Sequence, residues 1–135
     1  MLSNRNLTVV AAVIRDERGR VLMCRRPDHK HMGGLWEFPG GKIQDGEDPE
    51  RALARELREE LGIEVSVEEP LTFAVHREPG MRILLLFFAA NLLSGRPHGL
   101  EGQAVKWIPP SEMPDYPTPP ADAALVADLA GCDCP

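Results

Sequence analysis

The sequence predicts a mixed α/β (α+β) sandwich of helices around a sheet. Short apolar runs bounded by turn residues read as strands. One periodic amphipathic helix interrupts them, and a second apolar helical stretch follows the last strand. The order strands, helix, strands, helix is that of a layered mixed fold. Thr8 to Ile14 reads as a buried strand, Asp16-Glu17-Arg18-Gly19 as a turn, and Val21 to Arg25 as the returning strand of a hairpin. Pro27 to Gly34 is a polar loop, Leu35 to Phe38 a short extended piece, and Pro39-Gly40-Gly41 a backbone break. A helix is expected from Pro49 to Leu61, with Asp48 as N-cap, Pro49 in the first turn and Gly62 as the stop. Leu53, Leu57 and Leu61 form its apolar stripe. Glu64 to Glu68, Leu71 to Arg77, Arg82 to Leu92 and Ala104 to Ile108 read as strands. The six prolines between Pro109 and Pro120 demand an irregular connection, and Ala121 to Ala130 reads as the last helix.

Length and composition narrow the function. A chain of 135 residues suits one domain over residues 1–135, and 43% apolar residues suffice for a core. A net charge of -6 argues against a nucleic-acid polymer as partner, because such binding needs a basic face. It leaves room for a small nucleotide, whose phosphates a bound cation can offset. The longest apolar run, Ile83 to Ala90, is too short to cross a membrane. Met1 to Arg5 lacks a signal-peptide pattern, so a cytoplasmic location is expected. Cys24, Cys132 and Cys134 read as reduced thiols. His29, His31, His76 and His98 read as scattered surface or loop residues and not as a zinc set.

The chemistry lies in the central helix. Glu56, Glu59 and Glu60 stand at i, i+3 and i+4, a spacing that brings their carboxylates to one side. Their mutual repulsion is relieved by a hard divalent cation, for which carboxylate oxygens are preferred ligands. A solvated acidic face balanced by Arg51, Arg55 and Arg58 is the plainer reading of that helix alone. The preceding Phe38-Pro39-Gly40-Gly41-Lys42 favours a site. Glycines let a backbone approach a ligand closely, and a lysine meets phosphate as a point charge.

Gly41 to Ile63, GKIQDGEDPERALARELREELGI, resembles the Nudix box at each of its defined positions: Gly41, Glu47, Arg55, Glu56, Leu57, Glu59, Glu60, Gly62 and Ile63. LWEFPGGK, Glu101 to Gln103 and Tyr116 to Asp122 are similar to the MutT-like branch of that family, so the resemblance covers about Leu7 to Leu129. It implies a Nudix-type α/β/α sandwich with a mixed sheet. It also implies a pyrophosphohydrolase that yields a nucleoside monophosphate and pyrophosphate with Mg2+, or alternatively Mn2+.

By that resemblance Glu56, Glu59 and Glu60 bind the metal, a backbone carbonyl of Gly40 adds a ligand, and Glu101 approaches the metal from a loop. Glu47 and Arg55 match a salt bridge that supports the metal helix. Glu56 and Glu101 are both candidates for the base that takes the proton of the attacking water. Arg26 and Lys42 are candidates for holding phosphates, and Arg25 reads as a polar strand end. Phe38 aligns with a base-pocket aromatic, or else belongs to the core. Asp122 stands where the guanine-directed enzyme carries asparagine. Its alternative reading is an acid in the first turn of the last helix. Met81 and Arg82 lie near another pocket position. The expected substrate is an oxidised or non-canonical nucleoside triphosphate such as 8-oxo-dGTP. CTP or 5-substituted dCTP, ADP-ribose and dinucleoside polyphosphates are the alternatives, and a non-catalytic nucleotide-binding module ranks below them. The expected assembly is a monomer or homodimer.

Overall fold

The computed structural model describes residues 5–131, so Cys132 and Cys134 lie outside the described residues. Seven strands and two α-helices follow in the order β1 (Arg5–Ile14), β2 (Val21–Arg25), β3 (Trp36–Glu37), β4 (Gly40–Lys42), α1 (Pro49–Leu61), β5 (Glu64–Glu78), β6 (Met81–Ser94), β7 (Ala104–Ile108) and α2 (Ala123–Gly131). They form a mixed four-stranded sheet ordered β4-β1-β6-β5 and a three-stranded sheet ordered β3-β2-β7. The pairing of β1 with β6 is parallel, and the other pairs are antiparallel.

The expected β1–β2 hairpin is not formed. The turn is present, closed by hydrogen bonds between Asp16 and Arg20, but beyond the single bridge Arg15↔Val21 the two strands enter different sheets. The reason is edge occupancy. Over Val9 to Ala11 both edges of β1 are taken, one by β4 and the other by β6. Cys24 and Arg25 of β2 are likewise flanked by β3 and β7. Residues 39–41 are more than a break, since Gly40 to Lys42 pair with Val9 to Ala11 as β4. The two strands expected over residues 64–77 fuse into β5, with register shifts around Pro70. The proline-rich connection holds two 3-10 turns, Pro110–Asp115 and Pro120–Asp122, and α2 begins after the second of them.

Alternation along the strands splits the interior into two layers. Val10, Ala12, Ile14, Leu22 and Cys24 pack with Leu53, Leu57 and Leu61 of α1. Ala11, Val13, Val21 and Met23 pack instead with Phe38, Phe87, Leu125 and Val126 on the α2 side. Helices on both faces of the sheet layer make the sandwich. The three α1 leucines are fully buried, and each contributes about 2 kcal/mol by leaving water. Helix α1 starts at Pro49, with Asp48 at the N-cap position in extended backbone but without a side-chain cap hydrogen bond, and stops at Gly62. Gly62 takes φ 69°, a left-handed conformation that lets its N–H donate to the carbonyl of Arg58.

Candidate active site

Helix α1 is fixed by its leucines, and this sets the direction of its acidic residues. Glu56 and Glu60, four residues apart, line a cavity of about 510 Å³ whose wall also includes Gly40, Gly41, Lys42 and Glu101. Their carboxyl groups are close neighbours. Burial, and then the neighbouring Glu56 carboxyl, push the Glu60 carboxyl up to about 8. Glu59 does not line the cavity, though it shares one Arg55 amine with Glu56. Its side chain is 58% exposed and accepts a hydrogen bond of 3.2 Å from Arg55. Among the described residues no three Asp, Glu, His or Cys side chains already form a closed ligand set.

The arginine organises the segment. Arg55 donates to both carboxylate oxygens of Glu47, to Glu56 at 3.0 Å and to the carbonyl of Lys42 at 3.1 Å. The acidic loop, strand β4 and helix α1 are thereby tied together. The two hydrogen bonds from Arg55, with a further one from the Gln44 N–H, hold the Glu47 carboxyl down at about 2. The glycines of β4 are required by close approach. A Cβ at Gly40 would lie 1.9 Å from the carbonyl oxygen of Val10, and one at Gly41 would lie 2.3 Å from the Glu56 carboxyl carbon. Only glycine at these positions lets β4 pair with β1 and lets Glu56 lie against it.

Glu101 is brought in by the loop after β6. The N–H of Leu100 donates to the carbonyl of Glu60 at 3.0 Å, the Gln103 amide donates to the same carbonyl at 3.3 Å, and His98 N–H donates to that of Leu61. The loop thus satisfies carbonyls at the end of α1 and carries Glu101 to the rim of the cavity. The Glu101 N–H is held by the Gln103 side chain at 2.9 Å.

The deeper part of the cavity is apolar. Leu7 and Val9 of β1 stand beside Ile83 and Leu85 of β6 in register, on the same sheet face as the α2-side core. Asp122 lies at its floor, 3% exposed, and is the one buried charged residue among those described. Burial, followed by the nearby Glu37 charge, pushes its carboxyl up to about 7, while a hydrogen bond from the Phe38 N–H acts in the opposite direction. Phe38 lies in the core, 4% exposed, with its ring edge-on to Phe87 at 5.7 Å between centroids. Its backbone N–H lies toward Asp122, and the residue both packs in the core and lines the cavity.

Arg26 lines the cavity with two hydrogen bonds already made, to Glu37 at 3.2 Å and to the carbonyl of His31 at 2.8 Å. Arg25 also lines the cavity and pairs with Asp28 at 2.7 Å. Met81 lines the cavity, whereas Arg82 is exposed and donates to Asn6.

Two groups escaped the sequence reading. Glu37 lies between Trp36 and Phe38, and strand alternation turns it away from those two buried rings and into the cavity. Burial raises its carboxyl pKa, against the opposing charge of Arg26. The histidines are not all scattered. His76 and His31 meet at Glu78, at 3.0 and 3.4 Å, and all three line the cavity. Alternation along β5 was the available signal for His76 and Glu78. The partnership with His31 has none, because 45 residues of chain separate it from His76.

The chain matches the NUDIX domain family over residues 5–129. It is 47% identical over 88 residues to a protein of Proteus vulgaris named 8-oxo-dGTP diphosphatase, covering 65% of this chain and 79% of that one. It is 40% identical over 120 residues to the CTP pyrophosphohydrolase of Escherichia coli (strain K12), covering 89% of this chain and 88% of the relative. The solution structure of the E. coli ORF135 protein matches with a TM-score of 0.78 at 37% identity, over 98% of this chain and 96% of that one. Hydrolases of this family generally need a divalent metal ion. The all-oxygen set of Glu56, Glu59, Glu60 and Glu101 suits a hard cation, and the crowding of Glu56 against Glu60 is what such a cation relieves. No helix among the described residues is long and apolar enough to cross a membrane. From the Gly41–Ile63 motif, the layered mixed sheet and these matches, the chain belongs to the NUDIX domain family and is a Nudix hydrolase.

Proposed function

We propose that the chain, one domain over residues 1–135, is a nucleoside triphosphate pyrophosphohydrolase. It releases a nucleoside monophosphate and pyrophosphate, and in the cytoplasm it clears oxidised or non-canonical nucleotides such as 8-oxo-dGTP. The observation that carries this reading is the polarity of one cavity. Carboxylates of α1 crowd one end, and an apolar sheet face with the buried Asp122 forms the other. A triphosphate with its base fits that division.

Glu56, Glu59, Glu60 and Glu101, with the Gly40 carbonyl, would hold Mg2+, with Mn2+ as the alternative ion. Bound there, the ion supplies charge neutralisation at the phosphates and a more acidic water. Glu59 would leave Arg55 to join that set. Glu56 or Glu101 accepts the proton of the attacking water, and Lys42 and Arg26 hold the departing pyrophosphate. Glu47 acts through Arg55, keeping α1 against β4. Phe38 contributes its backbone to the base pocket through Asp122.

A carboxyl with its pKa near 7 is present in both protonation forms at neutral pH. The neutral form donates as well as accepts, as asparagine does, and so suits 8-oxoguanine. The ionised form only accepts, which suits the cytosine amino group. The second reading, CTP or a 5-substituted dCTP as substrate, is supported by that form and by the CTP-directed relative.

Release of pyrophosphate with Mg2+ from 8-oxo-dGTP, dGTP, CTP and 5-methyl-dCTP tests the reading. The expected result is monophosphate product with 8-oxo-dGTP preferred over dGTP. Glu59→Gln should lose at least about tenfold in kcat. A smaller loss removes Glu59 from the metal set, and binding without turnover on every substrate removes the enzymatic reading.

A further inference from the structure

The side chain of Gln103 joins the backbones of two of the proposed metal ligands. Its Oε1 accepts the N–H of Glu101 at 2.9 Å, and its Nε2 donates to the carbonyl of Glu60 at 3.3 Å. Only this orientation of the amide serves both, because the N–H needs an acceptor and the carbonyl a donor. The Glu60 carbonyl belongs to the last turn of α1, where carbonyls lack a helical partner. Gln103 is itself held from behind. Ala104, the next residue, opens β7 and pairs with Arg25 of β2. The amide therefore runs from the three-stranded sheet to α1 and to the loop that carries Glu101.

Glu101 depends on its backbone for direction. It lies in a turn closed by the Gly102 N–H on the Gly99 carbonyl at 3.1 Å. Among the described residues its carboxylate makes no hydrogen bond or ion pair. The turn is folded tightly on Gln103, since a Cβ at Gly99 would lie 1.9 Å from the Gln103 carbonyl oxygen. The Leu100 N–H also donates to the Glu60 carbonyl, at 3.0 Å. Loss of the Gln103 amide therefore leaves that carbonyl satisfied and the loop docked, and frees the Glu101 N–H.

We propose that Gln103 is a positioning residue for the hydrolysis, setting the Glu101 carboxylate against Glu60 through the two backbones that its amide joins. This rests on the reading of Glu60 and Glu101 as metal ligands. Gln103 lines the same cavity, but both polar atoms of its amide are engaged within the chain. It acts through Glu101 and not on the nucleotide.

Gln103→Met keeps the length of the side chain and removes both hydrogen bonds. In the metal-free chain, amide hydrogen exchange at Glu101 should speed up by at least about tenfold, while that at Leu100 stays within about threefold. With Mg2+ and nucleotide, kcat should fall by about 10–100-fold and KM should stay within about threefold. Glu101→Gln should show a loss of its own, and the double variant should lose little beyond it, because the amide works through that carboxylate. Losses that multiply in the double variant overturn the proposal, as does an unchanged kcat or a loss confined to KM in Gln103→Met. A Glu101 amide that exchanges at the same rate in both chains overturns the hold on its backbone. If the wild type hydrolyses no nucleotide, the proposed function fails and the positioning role with it; the exchange difference at Glu101 would persist and tell that failure from the other.

Discussion

Arg55 grips Glu47 through two hydrogen bonds, 2.7 Å from Nε and 2.9 Å from Nη2, and uses its remaining amine on Glu56 and Glu59. One guanidinium thus couples the acidic loop to two proposed metal ligands. Lysine has the charge but not the fork. Arg55→Lys should cut kcat/KM by about 10–100-fold and weaken Mg2+ dependence to a similar degree, read from metal titrations of activity.

The same pair predicts an acid limb of stability. The Glu47 carboxyl is held at about 2 against an ordinary value of 4.5. The unfolded chain therefore binds this proton first as pH falls. The stabilisation is complete above about 4.5 and is lost as pH drops through about 2. Urea midpoints of wild type and Glu47→Gln should converge over that window and stand apart, with the wild type higher, at pH 6.

Gly41 tests the packing of Glu56. A methyl group there meets the Glu56 carboxyl at 2.3 Å, so the side chain must move. Gly41→Ala should lower kcat by at least about tenfold with a much smaller effect on substrate binding, because the displaced group acts on the reaction and not on the base. The readout is the split between kcat and KM.

Glu60 opposes stability where it serves function. Buried beside Glu56, it is unfavourable as a charge without a cation. Glu60→Gln should raise the Tm measured in EDTA and abolish the rise that wild type shows on adding millimolar Mg2+. An unchanged Mg2+ response in the variant would exclude Glu60 as a ligand.

Asp122 gives a second pH signature with the opposite sign. Its folded value of about 7 lies above the ordinary 3.8, so its favourable contribution is complete below 3.8 and is lost as pH rises through about 7. Asp122→Asn removes that dependence. Relative to wild type, the variant should gain stability between pH 4 and 8, and its preference for 8-oxo-dGTP over CTP should no longer change with pH, as a two-substrate competition assay would record.

The sequence alone determined the central helix, its caps, its leucine face and the acidic motif around it, because all of these are local. A 3.6-residue period, a proline in the first turn and a glycine at the end act within neighbouring turns. It also determined the family, since Gly41 to Ile63 match the motif without reference to anything distant. Tertiary structure decided which partners the strands take. The turn at Asp16 to Arg20 is real, yet β1 and β2 separate because β4 and β6 occupy the edges of β1. It also decided which acids face the cavity. Helical spacing put three glutamates on one side; Glu56 and Glu60 line the cavity, while Glu59 stays at its exposed margin, sharing one Arg55 amine with Glu56. The proximity of Asp122 to Glu37, and the convergence of His31 and His76 on Glu78, arise from segments far apart in the chain. No local periodicity encodes such contacts; they depend on how the two sheets and the proline-rich connection close around one cavity.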